Sequence, residues 1–492
     1  MTDQLDIAGG AGGMNARLTD LRAESRAIHD AGTDLLGRVG AVSRAAVDDD
    51  VLAAALICPD EVPGVEAAVV MAATGPHGLA ARGAALVTTS TLVEAAATTY
   101  EAVDEARARA LDAAQFGAGY MVGRALPGIA LLGGGLLVAN PLLAVPLVTY
   151  GLSGDPLDDL QNTLYDNPWM LEGLTRTAPG LVEGTGVTLS GLLGPAGPPL
   201  LSTLTGGHWP SADYEDAVAG LVALGGLGGA FEDEGSFELG QGVVRTDVSW
   251  SPDYAVRDVF RGHADMDLDQ PADTRDALGQ LQIVAVPQAD GTAAYVVQIP
   301  GTEDWSPTRS DNPLDLTTNV RLMTGQDSAW RRTVIQAIRD QVPPGSPVML
   351  TGHSQGGITA ASIASDPEVV RELSIRSVVT GGSPIGRFDI DPSVSVLSLE
   401  HEQDPVPMLD GVPNPDRSSW TTVRRDLPDE LATTDGVTSP GTAHSGDNYA
   451  STGIAVDEST DPGIARWRAE NARFFTGSGA PVVTRYDVEP TS

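Results

Sequence analysis

Ten residues, Val348-Met349-Leu350-Thr351-Gly352-His353-Ser354-Gln355-Gly356-Gly357, constrain the fold of this chain more than any other stretch. A short apolar run breaks into Gly352-x-Ser354-x-Gly356 and then into a helix-forming sequence. That is the pattern of a buried strand turning sharply into a helix, with one serine exposed at the bend. Side chains beside such a turn would collide with it, which is why glycine flanks the serine on both sides. The following helix presents its amide end to the serine, where negative charge is favoured. The chain carries 57 glycines in 492 residues, so the five-residue pattern says little alone, and its weight comes from its surroundings.

Upstream, Leu281–Val286 and Ala294–Ile299 read as short strands around the turn signal Ala289-Asp290-Gly291. The second runs into Pro300-Gly301-Thr302-Glu303-Asp304-Trp305, where Thr302 is placed to aim an N–H and a hydroxyl at an oxyanion. The N–H of Gln355, the residue after the serine, supplies a second donor. Downstream, the strand Val394–Leu399 leads to His401-Glu402-Gln403-Asp404-Pro405-Val406-Pro407. Asp404 follows a clear strand and precedes a rigid Pro-Val-Pro, which favours it over Asp389, Asp391 and Asp410 as the carboxylate that orients an imidazole. Thr442–Tyr449 places His444 in a loop before the last helix. His353 is bound into the bend, and His401 lies only three residues from Asp404, so His444 is the candidate base. Ser354, Asp404 and His444 then follow the chain order of a Ser-Asp-His hydrolase.

Five segments in order carry a resemblance: Gly301-Thr302-x-Asp304-Trp305, Gly352 through Gly357, Gly382-Ser383-Pro384-x-Gly386-x-Phe388, Asp404-x-Val406-Pro407, and the His444 to Tyr449 loop. Together they resemble the class 3 lipases, α/β-hydrolases that act on acylglycerol and phospholipid esters. Pro300 stands where that family usually has Arg. The resemblance covers residues 243–476 and implies an α/β-hydrolase domain with a largely parallel sheet. It implies Ser354 as nucleophile, Asp404 as acid, His444 as base, Thr302 and Gln355 as oxyanion hole, and Gly352 and Gly356 as elbow glycines. The expected substrate is a lipid or other ester, and no cofactor or metal is expected. The same triad would serve an acyltransferase or a peptidase, and a partner-binding protein with an inactive hydrolase fold is the reading from outside enzymology.

An all-α N-terminal domain is expected before it, with a helical hairpin-like region over 1–116 and a Gly/Pro-rich apolar helical region over 117–235. Residues 1–12 are polar and Gly-rich, without the basic start and apolar run of a secretory signal. Helical spacing runs from Met14 to Ala46 and from Val65 to Gln115, interrupted at Gly75-Pro76-His77-Gly78. The second stretch ends in Tyr100-x-x-x-Asp104, which resembles the export tag on helical hairpins secreted by type VII (WXG-type) systems of actinobacteria. Their Trp-x-Gly turn is absent, since Trp169 is the first tryptophan. That resemblance implies a secreted or envelope-associated protein, with secretion machinery or a helical partner meeting the hairpin; otherwise the protein is cytoplasmic.

Residues 125–152 carry no charge and are long enough to span a bilayer. Pro127, Pro141, Pro146 and Gly133–Gly135 argue against one straight helix, so buried packing is expected, with membrane contact through 125–152 as the competing reading. Acidic Glu232-Asp233-Glu234-Gly235 is the expected linker, and 477–492 a C-terminal extension. A formal net charge of −37 argues against nucleic acid, whose phosphates need Lys and Arg. Cys58 is the only cysteine, so no intramolecular disulfide forms.

Overall fold

The computed structural model describes the chain apart from residues 1–4, 11–12, 55–56, 131–167, 193, 211–213, 233–234, 247, 249, 252, 254, 267–278, 306–311, 429, 432, 435–436 and 492. Its contacts divide the chain into two units, one of residues 14–111 and one of residues 1–13 with 112–492. No boundary falls at the expected acidic linker near 232–235.

The smaller unit is helical. Met14–Arg44, Val62–Thr74 and the first part of Leu79–Ala130 are its main helices, with Gly75–Gly78 separating the last two. Met14–Arg44 and the long helix pair side by side. Arg22 donates to both carboxylate oxygens of Glu101 at 2.6 and 2.7 Å, and Ser25 Oγ donates to the Ser90 carbonyl at 2.8 Å. At Gly32 and Gly83 a Cβ on either would stand 2.9 or 2.8 Å from the other's carbonyl oxygen, so glycine lets the backbones approach. The helix expected to end near Gln115 continues to Ala130, and Tyr100-x-x-x-Asp104 therefore lies inside it, with the Tyr100 side chain exposed. Packing explains the continuation: Gly119 and Gly123 lie against the backbone of Thr177 and Leu181 in the helix Pro168–Leu192, and Gly180 and Gly184 of that helix lie against the backbone of Phe116 and Tyr120, so a Cβ on any of the four would meet the opposite backbone. Most of 125–152 lies outside the described residues. No helix among the described residues is long and apolar enough to cross a membrane.

The larger unit is mixed α/β around a ten-stranded sheet. Its strands are β1 (Leu5–Gly9), β2 (Phe237–Leu239), β3 (Val243–Arg245), β4 (Gln280–Pro287), β5 (Ala293–Ile299), β6 (Val348–His353), β7 (Ile375–Gly381), β8 (Ser395–His401), β9 (Trp420–Arg425) and β12 (Val482–Pro490). β10 (Thr433–Thr434) and β11 (Val437–Thr438) form a separate pair. The order is β1-β9-β8-β7-β6-β5-β4-β12-β2, with β3 also on β12. The centre from β5 to β9 is parallel, and both flanks are antiparallel.

Strand periodicity puts alternate side chains on opposite faces. Leu281, Ile283, Val348 and Leu350 enter one core with Trp330, Val334 and Ile338 of the helix Ala329–Gln341. Val284, Val286 and Met349 enter the other with Phe260, Tyr449 and Trp467, from the helices Ala255–Ala264, Gly446–Glu458 and Pro462–Asn471. With both faces covered, β6 is buried along its whole length, which is why its sequence is a continuous apolar run rather than an alternating one.

Two terminal segments depart from expectation. Residues 477–492 are no appendage, because Val482–Pro490 is a sheet strand lying between β4 and β2. Arg485 and Asp487 break its apolar alternation, and Arg485 is nevertheless buried, donating to Gln282 Oε1 at 2.9 and 3.1 Å. Residues 5–9, inside the stretch expected to belong with the helical region, form an edge strand antiparallel to β9.

Candidate active site

The parallel centre of the sheet sends its carboxyl ends to one edge, where crevices form in α/β architectures. Thr302 follows β5, Ser354 follows β6, Gly382 follows β7 and Asp404 follows β8.

Ser354 joins β6 to the helix Gln355–Ala364 with φ 54° and ψ −122°. Such a conformation is costly for a residue with a Cβ and persists only where its surroundings enforce it. Here its N–H donates to the Gly381 carbonyl at 3.0 Å and its carbonyl accepts Ser383 Oγ at 2.8 Å. The glycines leave no alternative: a Cβ on Gly352 would overlap Gly356, one on Gly356 the Ile299 carbonyl, and one on Gly357 the Ser383 hydroxyl.

Asp404 is fully buried. One carboxylate oxygen, Oδ2, accepts His444 Nδ1–H at 2.7 Å and the Tyr449 hydroxyl at 2.6 Å, and Oδ1 accepts the Val406 N–H at 2.9 Å. Burial alone would raise its pKa, but His444, the Tyr449 hydroxyl and the Val406 N–H outweigh it and hold the carboxyl below its ordinary range. Because Nδ1–H is given to Asp404, Nε2 of a neutral His444 carries the lone pair. Ser354 and this pair meet around Gly381-Gly382. Gly382 has φ 63°, and a Cβ there would stand 2.9 Å from the His444 ring and 3.0 Å from Asp404 Oδ2.

The other carboxylates have different surroundings. Asp389 is exposed, Asp391 binds its own turn through Ser393, and Asp410 accepts the Gly386 and Val412 N–H groups at 2.6 and 3.2 Å. Two of the other histidines, His353 and His401, brace the turn that carries His444. His353 Nε2–H donates to the His444 carbonyl at 2.8 Å, and His401 Nδ1–H to the Ala443 carbonyl at 2.7 Å. His444 therefore sits in a pinned turn between the short helix Pro440–Ala443 and the helix Gly446–Glu458, each capped by a serine, rather than in a free loop.

Gln355 is the first residue of the elbow helix, so its N–H has no acceptor within that helix. Its side chain donates through Nε2 to the Asp315 carbonyl at 2.6 Å. Thr302 Oγ1 accepts Asn319 Nδ2–H at 2.8 Å. The two are brought together because Gly356 lies against the Ile299 and Pro300 carbonyls at the end of β5. Asn319 left no readable mark in the sequence, whereas Tyr449 and Gly382 stand in motifs quoted above without a role attached. Among the described residues no cluster of His, Cys, Asp or Glu is placed to hold a metal.

No protein-family model, curated protein or solved structure matches this chain.

One stability consequence follows from the bracing histidines. Burial pushes His401 down from 6.5 to about 4. As pH falls below 6.5 the unfolded chain takes up a proton on this ring and the native protein does not, so stability is lost between 6.5 and about 4. Over that window the loss attributable to His401 amounts to about 3 kcal/mol. Urea unfolding at neutral pH and at about pH 4 should show His401→Gln less acid-sensitive than the parent by about that amount. Equal pH dependence in both would show that this ring is not the sensor.

Proposed function

We propose that the protein is a serine esterase acting on carboxylic esters with apolar acyl groups. The observation that carries this reading is Ser354, held in a strained conformation at the head of a helix beside the buried Asp404–His444 pair. In the first step His444 Nε2 takes the Ser354 proton while Oγ bonds to the ester carbonyl carbon. The carbonyl oxygen becomes an oxyanion facing Thr302 and the Gln355 N–H. On collapse the C–O bond to the alcohol breaks, and the alcohol leaves with the proton from His444. Water then repeats the sequence on the acyl-enzyme, releasing the acid. Asp404 holds the imidazole in the required tautomer throughout and is itself held by Tyr449.

The preference for apolar acyl groups rests on the motif resemblance to class 3 lipases. The reading also gives the 14–111 unit an export or partner-binding role, on its hairpin form and the exposed Tyr100.

A ladder of p-nitrophenyl esters from acetate to palmitate, with and without a lipid interface, tests the reading together with a fluorophosphonate probe. Turnover that favours the longer acyl chains, with probe mass on Ser354, is the expected result. A folded protein that neither turns over nor labels would instead be a hydrolase-like scaffold.

A further inference from the structure

Two buried carboxamides beside the site bond through nitrogen alone. Asn319 Nδ2 donates to Thr302 Oγ1 and Gln355 Nε2 donates to the Asp315 carbonyl, while Asn319 Oδ1 and Gln355 Oε1 are buried with no partner. A buried polar atom left unpaired costs about 1–3 kcal/mol. An apolar side chain of similar shape would be the more stable choice at either position unless the N–H halves have work to do.

Both bonds come from one short element. Asp315 and Asn319 are four residues apart, one turn, at the start of the helix Leu316–Met323. Asp315 Oδ1 accepts the Thr318 N–H at 2.8 Å and fixes that start. Behind it, Leu316, Val320, Leu322 and Met323 pack with Ile358 of the elbow helix and with Tyr214, Val218 and Val222 of the helix Tyr214–Gly226. The helix is thus keyed to the residues flanking both sides of the proposed oxyanion position.

An amide nitrogen only donates, so Thr302 Oγ1 is the acceptor in its bond with Asn319, and its single proton is left to donate elsewhere. We infer that the helix Leu316–Met323 sets the oxyanion donors. Asn319 is a positioning residue that turns the Thr302 hydroxyl proton towards the oxyanion, and the Asp315 carbonyl anchors Gln355 and hence its backbone N–H. This inference rests on the esterase reading. The orientation matters, because an Asn319 amide rotated by half a turn would accept the Thr302 proton on Oδ1 and remove it from the reaction.

A kinetic double-mutant cycle on p-nitrophenyl butyrate separates these cases, using Asn319→Leu, Thr302→Val and the pair, with folding matched by circular dichroism and Tm. Asn319→Leu is expected to lower kcat about 10-fold with KM within about twofold of the parent, and Thr302→Val to lower kcat about 100-fold. The double variant should be no slower than Thr302→Val alone, since Asn319 acts only through the hydroxyl. Affinity for an arylboronic acid, which mimics the tetrahedral adduct, should fall in step with kcat. Unchanged or faster turnover in Asn319→Leu would mean that the amide accepts the proton, and multiplying losses in the double variant would mean a merely structural role; either overturns the inference. If Asn319→Leu does not fold, Asn319→Ala runs through the same cycle with the same outcomes. A parent protein that fails to turn over and to label at Ser354 sinks the esterase reading itself, and that failure is distinct from an active parent with an unresponsive Asn319.

Discussion

Ser354→Ala is expected to lower kcat/KM on p-nitrophenyl esters by about 10⁴-fold or more while leaving the folded structure intact. Without Oγ there is no atom to carry the acyl group, and what remains is the slow attack of water assisted by Thr302 and Gln355. The small stability effect follows from the environment: no packing core is built on this side chain, and the hydrogen bonds that hold the residue are made by its backbone. A companion variant isolates the strain. Ser354→Gly removes the Cβ from a backbone at φ 54° and ψ −122°, and should raise stability by about 1 kcal/mol while being as inactive as Ser354→Ala. Residual activity above about one part in a hundred in either variant would show that the nucleophile lies elsewhere.

His444→Gln should be nearly as damaging, with kcat falling about 10⁴-fold and KM little changed, because the base acts on the serine proton and not on substrate binding. The informative measurement compares it with His353→Gln and His401→Gln at matched folding. Those two rings donate to the His444 and Ala443 carbonyls, so their loss should loosen the turn, lower Tm and reduce kcat by no more than about 10²-fold. His444 alone of the three gives Nδ1–H to a buried carboxylate. Should His444→Gln prove no worse than the other two, the imidazole facing Asp404 is structural and the proposed mechanism fails.

The chain shows how far local rules reach. The elbow was legible because its requirement is steric and contiguous: Gly352 and Gly356 must be glycine wherever a strand meets a helix through a serine, and a Cβ at either would collide with backbone in the structure. The strands Gln280–Pro287 and Ala293–Ile299 were legible from short apolar runs on either side of an Asp-Gly turn. Asp404 and His444 were placed by chain order and strand ends, and the structure brings them to 2.7 Å.

What stayed hidden depends on partners distant in sequence. Val482–Pro490 reads as a polar tail until Arg485 finds Gln282, some 203 residues away, and Leu5–Gly9 is too short to stand out without β9 beside it. Gly117, Gly119 and Gly123 resemble helix breakers locally, yet the helix passes through them because Gly119 and Gly123 let the backbone of Thr177 and Leu181 come close. The sequence by itself determined which residues are candidates for the proposed chemistry, since a nucleophile, an acid and a base would need particular side chains and the strand-to-helix turn needs particular glycines. Only the tertiary structure decided which histidine faces the carboxylate, that Tyr449 shares Asp404 with it, and that Asn319 holds Thr302. Hydrogen-bond partners are fixed by distance and direction in space, and residues tens of positions apart acquire both only when the sheet and its helices have packed.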